Sequence, residues 1–129
     1  MYIVFVGTEL DPVRPGGAGT VVARLASQLG EAGHRVEVLI VGSPPEGAPP
    51  AGIPVTWIEP GVPDRAAPTQ HLADARAAAE AVAGLPQRPD LVEFEDFHGL
   101  GLWALMRRGM LAIDQTPIAI RAHGPLDLV

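Results

Sequence analysis

The sequence predicts an α/β fold, a doubly wound and mostly parallel sheet with helices on both faces. Three observations predict it. Two apolar runs bounded by glycine, Tyr2 to Gly7 (YIVFVG) and Arg35 to Gly42 (RVEVLIVG), have the near-continuous hydrophobicity of strands buried on both sides. Strand-like and helix-like segments follow the order β-α-β-β-α-β-α-β, which calls for parallel pairing through helical crossovers. Apolar residues make up 47% of 129 positions, enough to fill a core between two helical layers.

Each element has its own signal. After the first strand, Pro12 and Pro15 keep Thr8 to Gly16 out of a helix. Gly17-Ala18-Gly19-Thr20 then opens one, on which Val21, Val22, Leu25, Ala26 and Leu29 share a face. Gly30 and Gly33 are its stop signals. The second strand alternates at its start and then becomes a buried run. Residues Gly42 to Pro68 hold eight of the fourteen prolines and read as surface loop. One short strand interrupts it, Pro54 to Ile58 (PVTWI), whose flanking prolines suit a sheet edge. Thr69 to Leu85 is an Ala-rich helix with a weak stripe of Leu72, Ala75, Ala79 and Val82. Asp90 to Phe94 (DLVEF) is a further strand. Leu100 to Arg108 is a helix apolar nearly all round, expected to be well buried and closed by Gly109. Pro117 to Ala122 (PIAIRA) is the last strand. No internal repeat or heptad pattern is present. With Leu126-Asp127-Leu128-Val129 so soon after that strand, no helix follows to cover it, and the expectation is of a truncated protein.

Composition narrows the chemistry. Fifteen acids against nine bases give a net charge of −6, unsuited to binding a phosphate backbone. Six aromatic residues are too few for base-stacking platforms. The absence of cysteine removes disulfides, Cys-ligated zinc, iron–sulfur clusters and thiol nucleophiles. All nine bases are arginine, which removes Schiff-base chemistry, a P-loop lysine and the lysine of a phospho-receiver domain. No apolar run approaches the roughly 18 residues of a membrane span. The N-terminus lacks the basic region of a signal peptide, so a cytoplasmic location is expected.

In a doubly wound sheet, ligands bind outside the carboxyl ends of the strands near the reversal of strand order. Topology therefore brings three segments to one edge: Thr8 to Gly19, Glu95 to Gly99, and His123 to Pro125. In the first, Gly16, Gly17 and Gly19 open a helix whose amides attract anions, and glycine lets a phosphate or sugar approach closely. A flexible helix-opening turn explains them equally well. A nicotinamide fingerprint fits less well, because Val22 stands where its third glycine belongs and the run begins nine residues after Gly7. In the second, alternation puts Glu93 and Glu95 on one face and Asp96 on the other. A metal site from so short a cluster is disfavoured. Carboxylates that accept from neighbouring sugar hydroxyls are one reading of it. The other has Asp96 capping the next helix and Glu93 facing solvent. In the third, His123 ends a strand beside Arg121 and Gly124. His98 is a weaker candidate in the adjacent turn, and His34 and His71 read as surface residues.

These segments, in this order, resemble the N-terminal half of a retaining GT-B glycosyltransferase of family 4 (glycosyl transferases group 1). The resemblance rests on the opening strand with its Pro-containing loop and Gly-Gly-Ala-Gly, on AGHRVEVLIVG (Ala32 to Gly42), on PDLVEFEDFHGLG (Pro89 to Gly101) and on PIAIRAHGPL (Pro117 to Leu126). It implies one Rossmann-like half of a GT-B fold, the acceptor side, with the nucleotide-sugar domain and its paired glutamates on a C-terminal domain of the same protein. It further implies that Gly16, Gly17 and Gly19 approach the donor phosphates or the acceptor. His123 would serve the reacting centre through its ring or its backbone carbonyl, and Glu95 and Asp96 would line the acceptor pocket. His98, Arg121 and Gly124 belong to the same expected site. The implied reaction moves a sugar from a nucleoside-diphosphate sugar to an acceptor hydroxyl with retention and needs no metal or further cofactor; this fragment alone would be inactive. The implied partners are donor, acceptor and C-terminal domain, with no nucleic acid. A lipid acceptor would add peripheral membrane contact, and an uncovered apolar surface would favour a homodimer. The rival readings are a small dinucleotide-binding Rossmann domain, and a non-catalytic or epimerase GT-B-like half.

Overall fold

The computed structural model describes residues 1–49 and 51–123. Gly124 and the Pro125 to Val129 stretch named above lie outside the described residues. The chain runs β1 (Tyr2–Gly7), α1 (Gly17–Glu31), β2 (Arg35–Val41), β3 (Val55–Ile58), α2 (Gln70–Ala83), β4 (Leu91–Glu95), a 3₁₀ turn (Phe97–Gly99), α3 (Leu102–Arg107) and β5 (Ile118–Arg121). All neighbouring strands pair in parallel, in the order β3-β2-β1-β4-β5. The order reverses between β1 and β4, so the carboxyl ends of these two neighbours flank the switch point.

Alternation along the strands builds two cores. Tyr2, Val4, Val6, Leu39, Val41, Val92 and Phe94 face α2 and α3, where Ala78, Ala79, Val82 and Ala104 receive them. Ile3, Phe5, Val36, Val38 and Ile40 face Val22 and Ala26 of α1, with Leu10 filling the same layer from the loop after β1. The alanines of α2 let that helix lie close to the sheet, and Thr69 caps it by accepting the Leu72 N–H at 3.2 Å. Among the described residues no helix is long and apolar enough to cross a membrane.

Three expectations need correction. Gly30 does not stop α1, which continues to Glu31. Gly33, with φ at +92°, takes the left-handed position after it. Val21 does not share the core face of Val22: it is rotated by about 100° along the helix and stands 41% exposed. The helix expected at Leu100 to Arg108 is shorter and far from fully buried. Only Ala104 of α3 is buried, while Leu102, Leu105 and Met106 are 47%, 43% and 60% exposed. The physical reason is position: α3 packs inward on α2 and the sheet, and no described element covers its outer side.

The Pro-rich linker after β3 is strapped onto α2. The Gly61 N–H donates to Asp74 at 2.9 Å, Gln70 donates to the Gly61 carbonyl at 2.7 Å, and Arg76 pairs with Asp64 at 2.7 Å. Gly61 lies so close to α2 that a Cβ there would overlap the Ala73 carbonyl oxygen, which is backbone and cannot yield easily. Gly61→Ala is therefore expected to destabilise the fold by about 1–3 kcal/mol. The expected reading is a lower urea midpoint with an unchanged m-value, and an unchanged midpoint would refute the close approach.

Candidate functional site

The loop leaving β1 closes on itself before it reaches α1. Leu10 and Arg14 exchange two backbone hydrogen bonds, at 2.9 and 2.7 Å, and Arg14 reaches across to the Val41 carbonyl at 3.2 Å. Gly19 seats α1 against this loop, since a Cβ there would sit 2.8 Å from the Leu10 nitrogen. Gly16 makes room for the Glu9 carboxylate, which a Cβ would displace. That carboxylate accepts the Gly19 N–H at 3.3 Å and so stands over the first amides of α1. Gly17 differs from both: a Cβ there would meet nothing within 4 Å.

On β4, Glu95 is only 4% exposed. Its Oε1 accepts the Thr8 N–H at 2.9 Å and the Thr8 hydroxyl at 2.6 Å, which bolts the end of β1 to the end of β4. Burial pushes the Glu95 carboxyl above the usual carboxylate range. The two Thr8 hydrogen bonds oppose that shift, the neighbouring Glu9 charge reinforces it, and His123 opposes it. At the end of β5, the His123 N–H donates to Asp96 Oδ2 at 3.0 Å, which fixes the backbone beyond the strand.

These contacts surround a cavity of about 300 Å³ at the switch point, lined by Thr8, Glu9, Gly17, Ala18, Glu95, Phe97 and His123. Of the residues singled out in the sequence, Gly17, Glu95 and His123 meet there. Gly16 and Gly19 shape the loop behind it. Asp96 anchors His123 rather than capping α3, whose N-cap is Gly101, and Asp96 lines an adjoining groove with Leu102, Leu105 and Ile120. Glu93 does not face solvent freely: it forms an ion pair with Arg121, whose guanidinium lies over the Phe5 ring. His98 turns away and stacks on His71 with ring centroids 3.8 Å apart, in a left-handed backbone conformation with φ at 52°. Thr8, Glu9 and Phe97 were not singled out in the sequence, although each lies within two residues of a strand end at the edge that topology selects.

A family model described as glycosyl transferase 4-like domain matches residues 16–128. Among solved structures, the catalytic domain of starch synthase IV from Arabidopsis thaliana, determined with ADP and acarbose bound, superposes with a TM-score of 0.77 at 20% identity. The match covers 95% of this chain and 34% of that one, so the chain spans about a third of the starch synthase domain. An epimerase-like protein from Burkholderia cenocepacia matches at 16% identity and a TM-score of 0.47, over 92% of this chain and 52% of that one. No curated protein sequence matches the chain.

The raised carboxyl of Glu95 makes stability pH-dependent. A group with a raised folded-state pKa contributes its stability below the unfolded pKa and loses it as pH rises through the folded value. Relative to the non-titrating Glu95→Gln variant, which keeps an acceptor for Thr8, the wild type should lose stability as pH rises from the ordinary glutamate range through the raised folded-state value. Paired denaturant melts across that range check this, and a constant difference would show that Glu95 titrates as an ordinary surface carboxylate.

Proposed function

The chain belongs to the glycosyl transferase 4-like domain family, and from that premise we propose that it forms the acceptor-side half of a retaining glycosyltransferase. The reaction moves a sugar from a nucleoside-diphosphate sugar to an acceptor hydroxyl. One observation carries the reading: the cavity at the switch point, where Gly17, Glu95 and His123 come together from three separate elements. The ADP in the starch synthase structure supports a nucleoside diphosphate as leaving group. The match to a third of that domain supports a second Rossmann-like domain closing the cleft from the opposite side and holding most of the donor.

In this mechanism the transition state is oxocarbenium-like, and negative charge builds on the departing diphosphate. Oriented dipoles that need not reorganise supply most of the stabilisation. The part played by this chain is placement. Asp96 holds the His123 backbone, so the imidazole projects from a fixed strand end toward the reacting sugar. The Glu95–Thr8 clasp fixes the opposite wall. Gly17 leaves that wall open at the start of α1.

Two outcomes are expected in the full-length enzyme. His123→Ala should lower turnover more than about tenfold, equivalent to roughly 1.4 kcal/mol of transition-state stabilisation, with little change in melting temperature. Initial rates at saturating donor check it, and a rate within about twofold of wild type would remove His123 from the reaction. Gly17→Val should also lower the rate while the fold survives, because the space around Gly17 admits a side chain. A fully active Gly17→Val enzyme would show that no substrate comes near the start of α1.

A further inference from the structure

A second recess, of about 400 Å³, lies on the β2–β3 side of the loop that leaves β1. It is lined by Val13, by Ile53, Val55 and Trp57 along β3, and by Pro44 and Pro45 of the linker. No charged side chain lines it. Glu46, the only ionisable residue between Gly42 and Ile53, is exposed and stands outside the lining. Arg14, next to Val13, is the independent feature. Its backbone is pinned by both hydrogen bonds to Leu10, and its guanidinium lies over Gly42, where a Cβ would strike it. The side chain is half-buried. Among the described residues it makes one hydrogen bond, from Nη1 to the Val41 carbonyl, and no ion pair. Fifteen acids accompany nine bases in this chain, yet none is set against this guanidinium. Its remaining edge, Nε and Nη2, has the fork geometry that grips an oxyanion with two hydrogen bonds.

A neutral polyol here would leave the guanidinium without a counter-charge, and a cation would be repelled by it. A bare anion would satisfy Arg14 and leave the apolar walls wet. A molecule with an oxyanion joined to an aromatic ring gains from both, the ring against the Trp57 indole and the flat proline rings. Neighbouring strands lie about 4.8 Å apart, so from the switch point the end of β2 is roughly 7 Å away and that of β3 roughly 12 Å. Across this edge the order is hydroxyl site, cation, apolar recess. Building on the glycosyltransferase reading, we propose that the recess is a distal acceptor subsite. The acceptor it fits carries, beyond its reacting hydroxyl, an oxyanion seated on Arg14 and an aromatic ring laid against Trp57.

The test titrates the full-length protein with phenyl phosphate, phenylacetate, benzyl alcohol and inorganic phosphate by ligand-observed NMR at neutral pH, without donor. The better of the two aryl oxyanions should bind at least about tenfold more tightly than benzyl alcohol and than inorganic phosphate. Which of the two it is identifies the oxyanion as phosphate or carboxylate. Its advantage over benzyl alcohol should shrink several-fold in Arg14→Gln and at about 0.5 M salt. Trp57→Leu should weaken all three aryl probes. Benzyl alcohol or inorganic phosphate binding as tightly as the aryl oxyanions, or an undiminished advantage in Arg14→Gln, would overturn the proposal. The wild-type ranking decides the matter even if a variant misfolds. Because no donor is present, a failure of sugar transfer would count against the glycosyltransferase reading and leave the subsite standing. A working transferase that binds benzyl alcohol as well as the aryl oxyanions would do the reverse.

Discussion

The clasp between Glu95 and Thr8 is the interaction on which the cleft depends. β1 and β4 are neighbours whose crossovers leave in opposite directions, so nothing in the sheet ladder holds their carboxyl ends once pairing stops at Val6 and Phe94. One residue further on, Gly7 has no side chain to block the Glu95 carboxylate, whose Oε2 would lie 2.8 Å from a Cβ there. The carboxylate fills that gap and accepts both donors of Thr8. Each such bond to an ionisable acceptor contributes on the order of 1.5–3 kcal/mol, which offsets only part of the cost of taking the group out of water, so the carboxyl stays raised. The loop that follows inherits a fixed origin. Its own closure between Leu10 and Arg14 then sets where α1 begins.

The central strands β1 and β2 are legible because a strand buried on both faces has no polar side to disguise it. YIVFVG and RVEVLIVG can hardly be anything else in a chain with helices between them. Helix faces were less legible. Val21 and Val22 are the same residue type in adjacent positions, and only the crossing of α1 over Ile3, Phe5 and Val38 decides which one is covered. The α3 segment shows the limit of composition. LGLWALMRR is apolar on every side, but hydrophobicity states what a helix prefers to bury, not what lies beside it. Gly30 does not end α1 because an internal glycine costs a helix only about 1 kcal/mol, which the apolar face of α1 outweighs.

The site was legible as an edge but not as a set of contacts. Topology alone selects the carboxyl ends of β1, β4 and β5, and the cavity lies there. Which glycine faces a ligand and which serves packing depends on the path of the Thr8 to Gly16 loop, a tertiary property that no motif encodes. Glu9 shows the same gap: seen in sequence it is one acid among fifteen, and only the fold puts it over the amides of α1. The cluster Glu93 to His98 separates for a similar reason. Glu93 and Glu95 share a face of β4 but are staggered along it, and Asp96 and His98 then enter a tight turn. Glu93 goes to Arg121, Glu95 to Thr8, Asp96 to His123, and His98 to His71.

The brevity of the two outer strands among the described residues limits what either edge can pair with. An exposed strand edge is a template for pairing with any other free edge. Here β3 and β5 are each four residues long, too short to offer a continuous ladder to a stranger. Pro54 precedes β3 and Pro60 follows it, and proline has no N–H to extend the pairing in either direction. The strap that ties Gly61 to Asp74 turns the chain away from the sheet at once. The short ladder offered at that edge is thus a by-product of the linker that delivers the chain to α2.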